Sequence, residues 1–281
     1  MLAFFIIYDK IFFMRENDSP AKNRGGNTMA KTVAILNQKG GVGKTTTAVN
    51  LAACVGYLNK KVLLCDIDPQ GNSTSGFGID KRKIERSSYN VLLGDTPAAD
   101  AVVKTEFKNV DLIVSNMDLA GAELEIIDRK GRERLLKNAL VPLWEQYDFI
   151  FLDCPPSLGL ITLNALTAAD TFLVPIQCEY YALEGLSQLM STVRQIKRLY
   201  NPYIELEGVL MTMFDGRLNL TQQVVEEVKK FFPKKVYSTV IPRNVRLSEA
   251  PSFGQPIIYF DRSSKGAQAY TAFAEEFLKK Q

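Results

Sequence analysis

The sequence predicts a single α/β domain, a twisted and mostly parallel sheet flanked by helices, and three observations predict it. Short apolar runs alternate with stretches of helical spacing along the chain. Several of those runs are apolar without alternation, as strands covered on both faces are. A glycine-rich turn, inside "NQKGGVGKTTTAVNLA", stands between the first such run and the first helical stretch. With 281 residues, 46% hydrophobic and 23% charged, the chain can bury a sizeable core, and one large domain is expected rather than two small ones.

Residues 1–28 come first. "MLAFFIIYDKIFFM" is hydrophobic, but Asp9 and Lys10 interrupt it. It is shorter than the ~20 residues a membrane span needs, and no small-residue cleavage site follows. The polar "RENDSPAKNRGGNT" then leads to Met29, where a clean strand pattern begins, and Gly25-Gly26 is encodable as GGA-GGN, the core of a bacterial ribosome-binding site. The expectation is a translated leader, non-native or disordered, over 1–28 and one domain over 29–281. Strands are expected at 32–37, 62–66, 111–115, 149–153, 171–176, 208–213 and 236–241. After the glycines, Ala48, Leu51, Ala52, Val55 and Leu58 recur at helical spacing, so a helix packs on the sheet there. The mixed charges at 81–86 and 104–108 read as solvated surface. The last stripe, Tyr270, Phe273, Ala274 and Phe277, is also helical. Glu275 and Glu276 beside only Lys279 and Lys280 favour core packing over a membrane-surface role.

The sequence contains no histidine, which removes serine-histidine and cysteine-histidine nucleophiles and every histidine-dependent metal site. Cys54, Cys65, Cys154 and Cys178 show no C-x-x-C spacing, so they read as small core residues in a reducing cytosol. A formal net charge of +3 is too slight to announce a nucleic-acid binder, so any basic patch must be local.

The chemistry gathers around the glycines. Gly40, Gly41 and Gly43 let the backbone fold tightly and aim N–H groups at phosphate oxygens, in a cradle that takes in Val42 and Thr46. Lys44 at the helix start neutralises β/γ-phosphates, and Thr45 offers its hydroxyl to Mg²⁺. Asp153 ends an apolar strand and faces the same crevice, where it can hold magnesium through water. Asp66 and Asp68, in "VLLCDIDPQGN", share one face: Asp68 can reach a water in line with the γ-phosphate, while Asp66 sits nearer the metal. Taken alone, Asp66 reads equally as a helix cap or turn residue. The ordinary pattern G-x-x-x-x-G-K-[ST] would place glycine at Gln38 and does not ask for a lysine at Lys39.

"KGGVGKTT", "DIDPQGN", "LDCPPSLG", "PIQCEYYALEGLSQL" and "IPRNVRLSEAPSFGQPI" resemble the ParA family of chromosome-partitioning ATPases, the short chromosomal kind called Soj, from about Met29 onward. The broader group, with the division-site ATPase MinD, the nitrogenase iron protein and cluster-assembly ATPases, shares the deviant phosphate loop. The resemblance implies a P-loop ATPase that uses ATP and Mg²⁺ and forms an ATP-dependent homodimer in which Lys39 crosses to the partner's phosphates. An intramolecular phosphate contact is the other reading of Lys39. It implies catalytic roles for Lys39, Lys44 and Asp68, and adenine recognition by Pro242 and Asn244, although Pro242 is equally a strand terminator on its own. It further implies non-specific double-stranded DNA binding through Arg217 and Arg246, with Arg194, Lys197 and Arg198 as additions or a plain solvated face. A ParB-like centromere-binding partner would stimulate slow hydrolysis, in a cytoplasmic, nucleoid-associated bacterial protein with no stable membrane association. A MinD-like membrane cycle would need an amphipathic tail, and an iron–sulfur carrier an interface cysteine pair. Positioning of another cargo stays open. A non-catalytic DNA-binding regulator is disfavoured by Asp68.

Overall fold

The structure is a computed structural model that describes residues 23–24, 27–179 and 182–281. The leader expected over 1–28 lies almost wholly outside the described residues. Seven strands form the main sheet: β1 (Lys31–Ile35), β2 (Val62–Asp66), β3 (Val102–Lys104), β4 (Val110–Ile113), β5 (Phe149–Asp153), β6 (Thr171–Gln177) and β7 (Glu205–Thr212). Their spatial order is β3-β4-β2-β5-β1-β6-β7, parallel throughout except for β3, which runs antiparallel to β4 at the edge.

Register places the site. Asp153 at the end of β5 lies opposite Ile35 on β1 and Asp66 on β2, so two carboxylates and the start of the glycine loop share one row at the carboxyl edge. Strand alternation sends Val33, Ile35, Leu64 and Phe151 to one face and Ala34, Leu36, Leu63 and Leu152 to the other. The first face is covered by α1 (Lys44–Tyr57) and by the last helix, Lys265–Lys279. Tyr270, Phe273, Ala274 and Phe277 are buried there, as expected of a core stripe, so they present no apolar face to a membrane. Each fully buried large side chain of that kind contributes roughly 1.5–3 kcal/mol. Among the described residues no helix is long and apolar enough to cross a membrane.

Between β2 and β6 run α2 (Asn72–Gly76), α3 (Ser88–Leu93), α4 (Leu119–Ile126), α5 (Leu135–Leu140) and α6 (Leu160–Ala168). Beyond β6 come α7 (Ala182–Leu199), α8 (Asn219–Phe231), α9 (Val245–Glu249), α10 (Ile257–Phe260) and the closing helix, α11. Helix α7 buries Leu186, Leu189, Met190, Val193 and Ile196, the stripe its spacing requires.

Two expectations fail. Residues 236–241 are not a strand: Val236 and Pro242 make only isolated bridges to Val209 and Phe214. Between them the N–H groups of Ser238 and Thr239 donate to the Glu276 carboxylate of α11 at 2.8 Å each, which takes them out of a ladder. Strand β3 was not anticipated, because three residues with half-exposed Val102 and Val103 carry too little apolar signal.

Candidate functional site

The loop from Asn37 to Gly43 is held on both sides of an exposed tip at Gly40 and Gly41. Asn37 donates from Nδ2 to Pro175 O at 2.9 Å and accepts the Lys39 N–H at 3.0 Å. Gln38 donates to Gly185 O at 3.2 Å and to Gln188 Oε1 at 2.7 Å, which explains a side chain where the ordinary pattern has none. Gly41 and Gly43 have φ of 73° and 85°, the left-handed region that glycine alone enters freely. Among the described residues, a Cβ on Gly40 or Gly41 would meet no atom beyond its chain neighbours within 4 Å. The Thr212 hydroxyl lies 2.8 Å from Val42 O and steadies the far side of the turn.

Helix α1 starts at Lys44 with Gly43 as its cap, so its first free N–H groups face the loop's concavity. Lys44 is 7% exposed, and its ammonium donates to Lys39 O at 3.0 Å. Burial pulls its pKa down, opposed by the charges of Asp153, Cys154 and Asp68. Thr45 and Thr46 follow on the first turn of the helix, both half-buried. Lys39 sits at the rim, its ammonium paired with the Glu179 carboxylate.

Asp153 is fully buried. Its Oδ2 accepts from the Ser73 hydroxyl at 2.8 Å, while Oδ1 is buried without a hydrogen-bond partner among the described residues. Burial and then the neighbouring Asp66 charge push its pKa up to about 8, against the Ser73 and Thr45 hydroxyls, which lower it. Asp66 is committed elsewhere: Oδ2 accepts the N–H and hydroxyl of Thr74, each at 2.8 Å, and Oδ1 accepts the Asp68 N–H at 3.2 Å. Burial raises it to about 6 despite those bonds. Asp68 does not continue the strand face of Asp66, because β2 ends at Asp66. It heads a turn, accepting Gln70 N–H on Oδ1 at 2.9 Å and Gly71 N–H on its carbonyl at 2.9 Å. The three aspartates and Lys44 are close enough that their charges bear on one another. Among the described residues no three histidine, cysteine or acidic side chains converge as a metal cluster.

Sequence reasoning missed Ser73 and Thr74, which join the Asp68 turn to both buried carboxylates. It also missed Glu179, whose only sequence signal is an acid directly after an apolar strand. Pro242 and Asn244 lie beyond β7, with Pro242 bridged to Phe214; the Asn244 Oδ1 is buried without a hydrogen-bond partner among the described residues. Arg217 and Arg246 are exposed but neutralised. Arg217 grips Asp215 through two bonds of 2.8 and 2.6 Å, and Arg246 pairs with Glu249 at 2.7 Å and Asp261 at 2.9 Å while lying over Phe260. Arg243 is near enough for its charge to reach Asp215.

Residues 30–206 match a family model described as an AAA domain. The chain is 57% identical to the sporulation initiation inhibitor protein Soj of Bacillus subtilis (strain 168), over 88% of this chain and 98% of that protein. It is 51% identical to the chromosome partitioning protein ParA of Myxococcus xanthus (strain DK1622), over 92% and 91%. A solved structure named cobyrinic acid a,c-diamide synthase, from Mycobacterium smegmatis with bound ATP analog and magnesium, aligns with a TM-score of 0.78 at 39% identity, over 89% and 95%.

Proposed function

The chain belongs to the ParA/Soj family of chromosome-partitioning ATPases, and from that premise we propose a nucleotide-gated cycle of dimerisation and DNA binding carried by residues 29–281. The observation that carries it is the rim of the phosphate loop. Half-exposed Lys39 stands beside Gly40 and Gly41, whose missing side chains no atom of the described residues would obstruct, so packing among those residues does not explain Gly40. A second subunit approaching that rim explains both the glycines and the extra lysine.

The residues fit a magnesium nucleotide. Asp153 offers an unpartnered buried oxygen beside Thr45, and Asn244 an unpartnered oxygen for the base, with Pro242 next to it. Magnesium, as a hard cation satisfied by one or two protein oxygens plus phosphates and water, would neutralise charge on the β- and γ-phosphoryl oxygens there. Gly40 to Thr46 hold the triphosphate through backbone N–H groups, and Lys44 contributes a partly desolvated positive charge. Asp66 serves this site at one remove, by fixing Thr74 and the Asp68 turn. Asp68 orients a water whose oxygen forms a bond to the γ-phosphorus as the bond to the β-phosphate bridge breaks, giving ADP and phosphate.

In the dimer, Lys39 reaches the partner's phosphates, and two copies of Arg217 and Arg246 make a patch for DNA phosphates. Because both arginines sit on carboxylates, DNA phosphates must displace those pairs, which suits weak, sequence-independent contact. A ParB-like protein accelerates an otherwise slow hydrolysis, and release from the nucleoid follows. The test is the solution mass of the full chain carrying Asp68→Ala, with ADP and with ATP, repeated with random-sequence DNA. A monomer with ADP and a DNA-retaining dimer with ATP are expected; a mass indifferent to nucleotide rejects the cycle.

A further inference from the structure

We infer that Glu179 is a positioning residue for Lys39: it keeps the ammonium on its own subunit until a triphosphate on a second copy of the chain draws it away, and so sets how readily the nucleotide-bound dimer forms. The inference rests on the cross-subunit reading of Lys39 given above.

The backbone of Lys39 has no freedom to lose. Its N–H is held by Asn37 Oδ1 at 3.0 Å, and its carbonyl accepts the Lys44 ammonium at 3.0 Å. Only the side chain can choose a partner. The acceptor is equally fixed, since Glu179 follows β6 within two residues and its N–H donates to Gln177 O at 2.8 Å. Gln38, the residue before Lys39, is bonded to Gly185 and Gln188 on α7, so the loop and the segment after β6 are tied side by side. The pair is preorganised at both ends and Lys39 meets Glu179 without any movement of the loop.

The pair is also weak enough to give way. The two side chains are 41% and 45% exposed, and an ion pair in that setting holds its partners by a factor of only about 1.5–5. A triphosphate carries several negative charges against one on the carboxylate, so it wins the ammonium when it comes within reach. Lys44 already fills the buried position inside the loop, leaving the rim lysine for phosphates outside its own cradle. Forming one dimer breaks two Lys39–Glu179 pairs, which multiplies the restraint to about 2–30-fold in the dimerisation constant. With Lys39 gone, each unpaired carboxylate also adds a negative charge near the partner's nucleotide.

The experiment compares the full chain with Glu179→Gln and Glu179→Asp, all carrying Asp68→Ala. It follows the protein concentration at half-dimerisation by analytical ultracentrifugation in saturating magnesium ATP, and ATP affinity below that concentration. Glu179→Gln should dimerise at a roughly 2–30-fold lower concentration with monomer ATP affinity unchanged, and Glu179→Asp should stay close to the parent. The difference should close in about 1 M salt, where exposed pairs are screened over ~3 Å, a response that altered packing would not give. Unchanged or weaker dimerisation of Glu179→Gln while the parent dimerises overturns the positioning role and leaves the family cycle standing. A parent that stays monomeric with ATP overturns the cycle, and this inference with it. If Glu179→Gln loses its fold by circular dichroism, Glu179→Ser supplies the same comparison.

Discussion

Asp153 shows what burial alone asks of one residue. A carboxylate with no exposure and Asp66 beside it is costly to ionise, and burial with the two carboxylates' mutual repulsion holds both pKa values above the ordinary carboxylate range. Both groups therefore bind protons more tightly folded than unfolded. From about pH 4, where an unfolded carboxylate ionises, upward through the raised folded values the native state holds more protons than the unfolded chain, so apo stability falls as pH rises. Asp153→Asn should remove much of the slope. Without nucleotide or magnesium, its thermal midpoint should exceed the parent's at pH 8.5 by about 2–4 °C, roughly one kcal/mol for a chain of this size, with little change at pH 5. Calorimetry at the two pH values checks this, and equal shifts at both would count against it. Gly40 gives the complementary case. Its φ is not positive and a Cβ there meets nothing among the described residues, so Gly40→Ala should alter stability by no more than ~0.5 kcal/mol in urea unfolding yet impair ATP-dependent dimerisation.

At the level of elements, strands and helices with strong periodicity were legible, and those held by tertiary contacts were not. Helix α1 and the α11 stripe follow from spacing because each needs an apolar face against the sheet. Residues 236–241 have a strand's composition, and the Tyr237 and Ile241 N–H groups do bond to β7, but a carboxylate on α11 claims those of Ser238 and Thr239 between them and interrupts the ladder. That competition involves residues 38 positions apart in sequence and leaves no local trace. The same holds for the contact between the turn after α2 and the turn before α10. A Cβ on Gly254, at φ 64°, would lie 2.4 Å from Gly78 Cα, backbone against backbone. Gly254→Ala should therefore cost at least ~2 kcal/mol, from left-handed strain and a clash that no side chain can relieve. Chemical denaturation measures it; a loss below half a kcal/mol would show that the two turns separate easily.

Across the whole molecule, the phosphate loop and its acids were readable because they cluster at the ends of three parallel strands, where register brings them together. Arg217 and Arg246 enter only through family likeness, as a proposal, and the carboxylates that neutralise them were not foreseen. Arg217→Glu should leave the ATP dimer intact while lowering the log–log salt slope of DNA binding by about 2, one phosphate contact per subunit. Asp215→Asn should act oppositely and strengthen retention by freeing Arg217. Filter binding at several salt concentrations distinguishes the two, and an unchanged slope in Arg217→Glu takes that arginine off the patch.

All four cysteines are buried, with Cys54 pushed up to about 12 and Cys178 to about 11 by desolvation, and Cys65 and Cys154 also raised well above the ordinary thiol value by burial. Since the thiolate is the reactive form, none of them competes for an electrophile near neutral pH. A cysteine placed at exposed Met117 or Leu218 would be the one thiol that a maleimide dye finds in the folded protein, so fluorescence from a single label could test whether ATP brings two copies together in an otherwise unaltered chain.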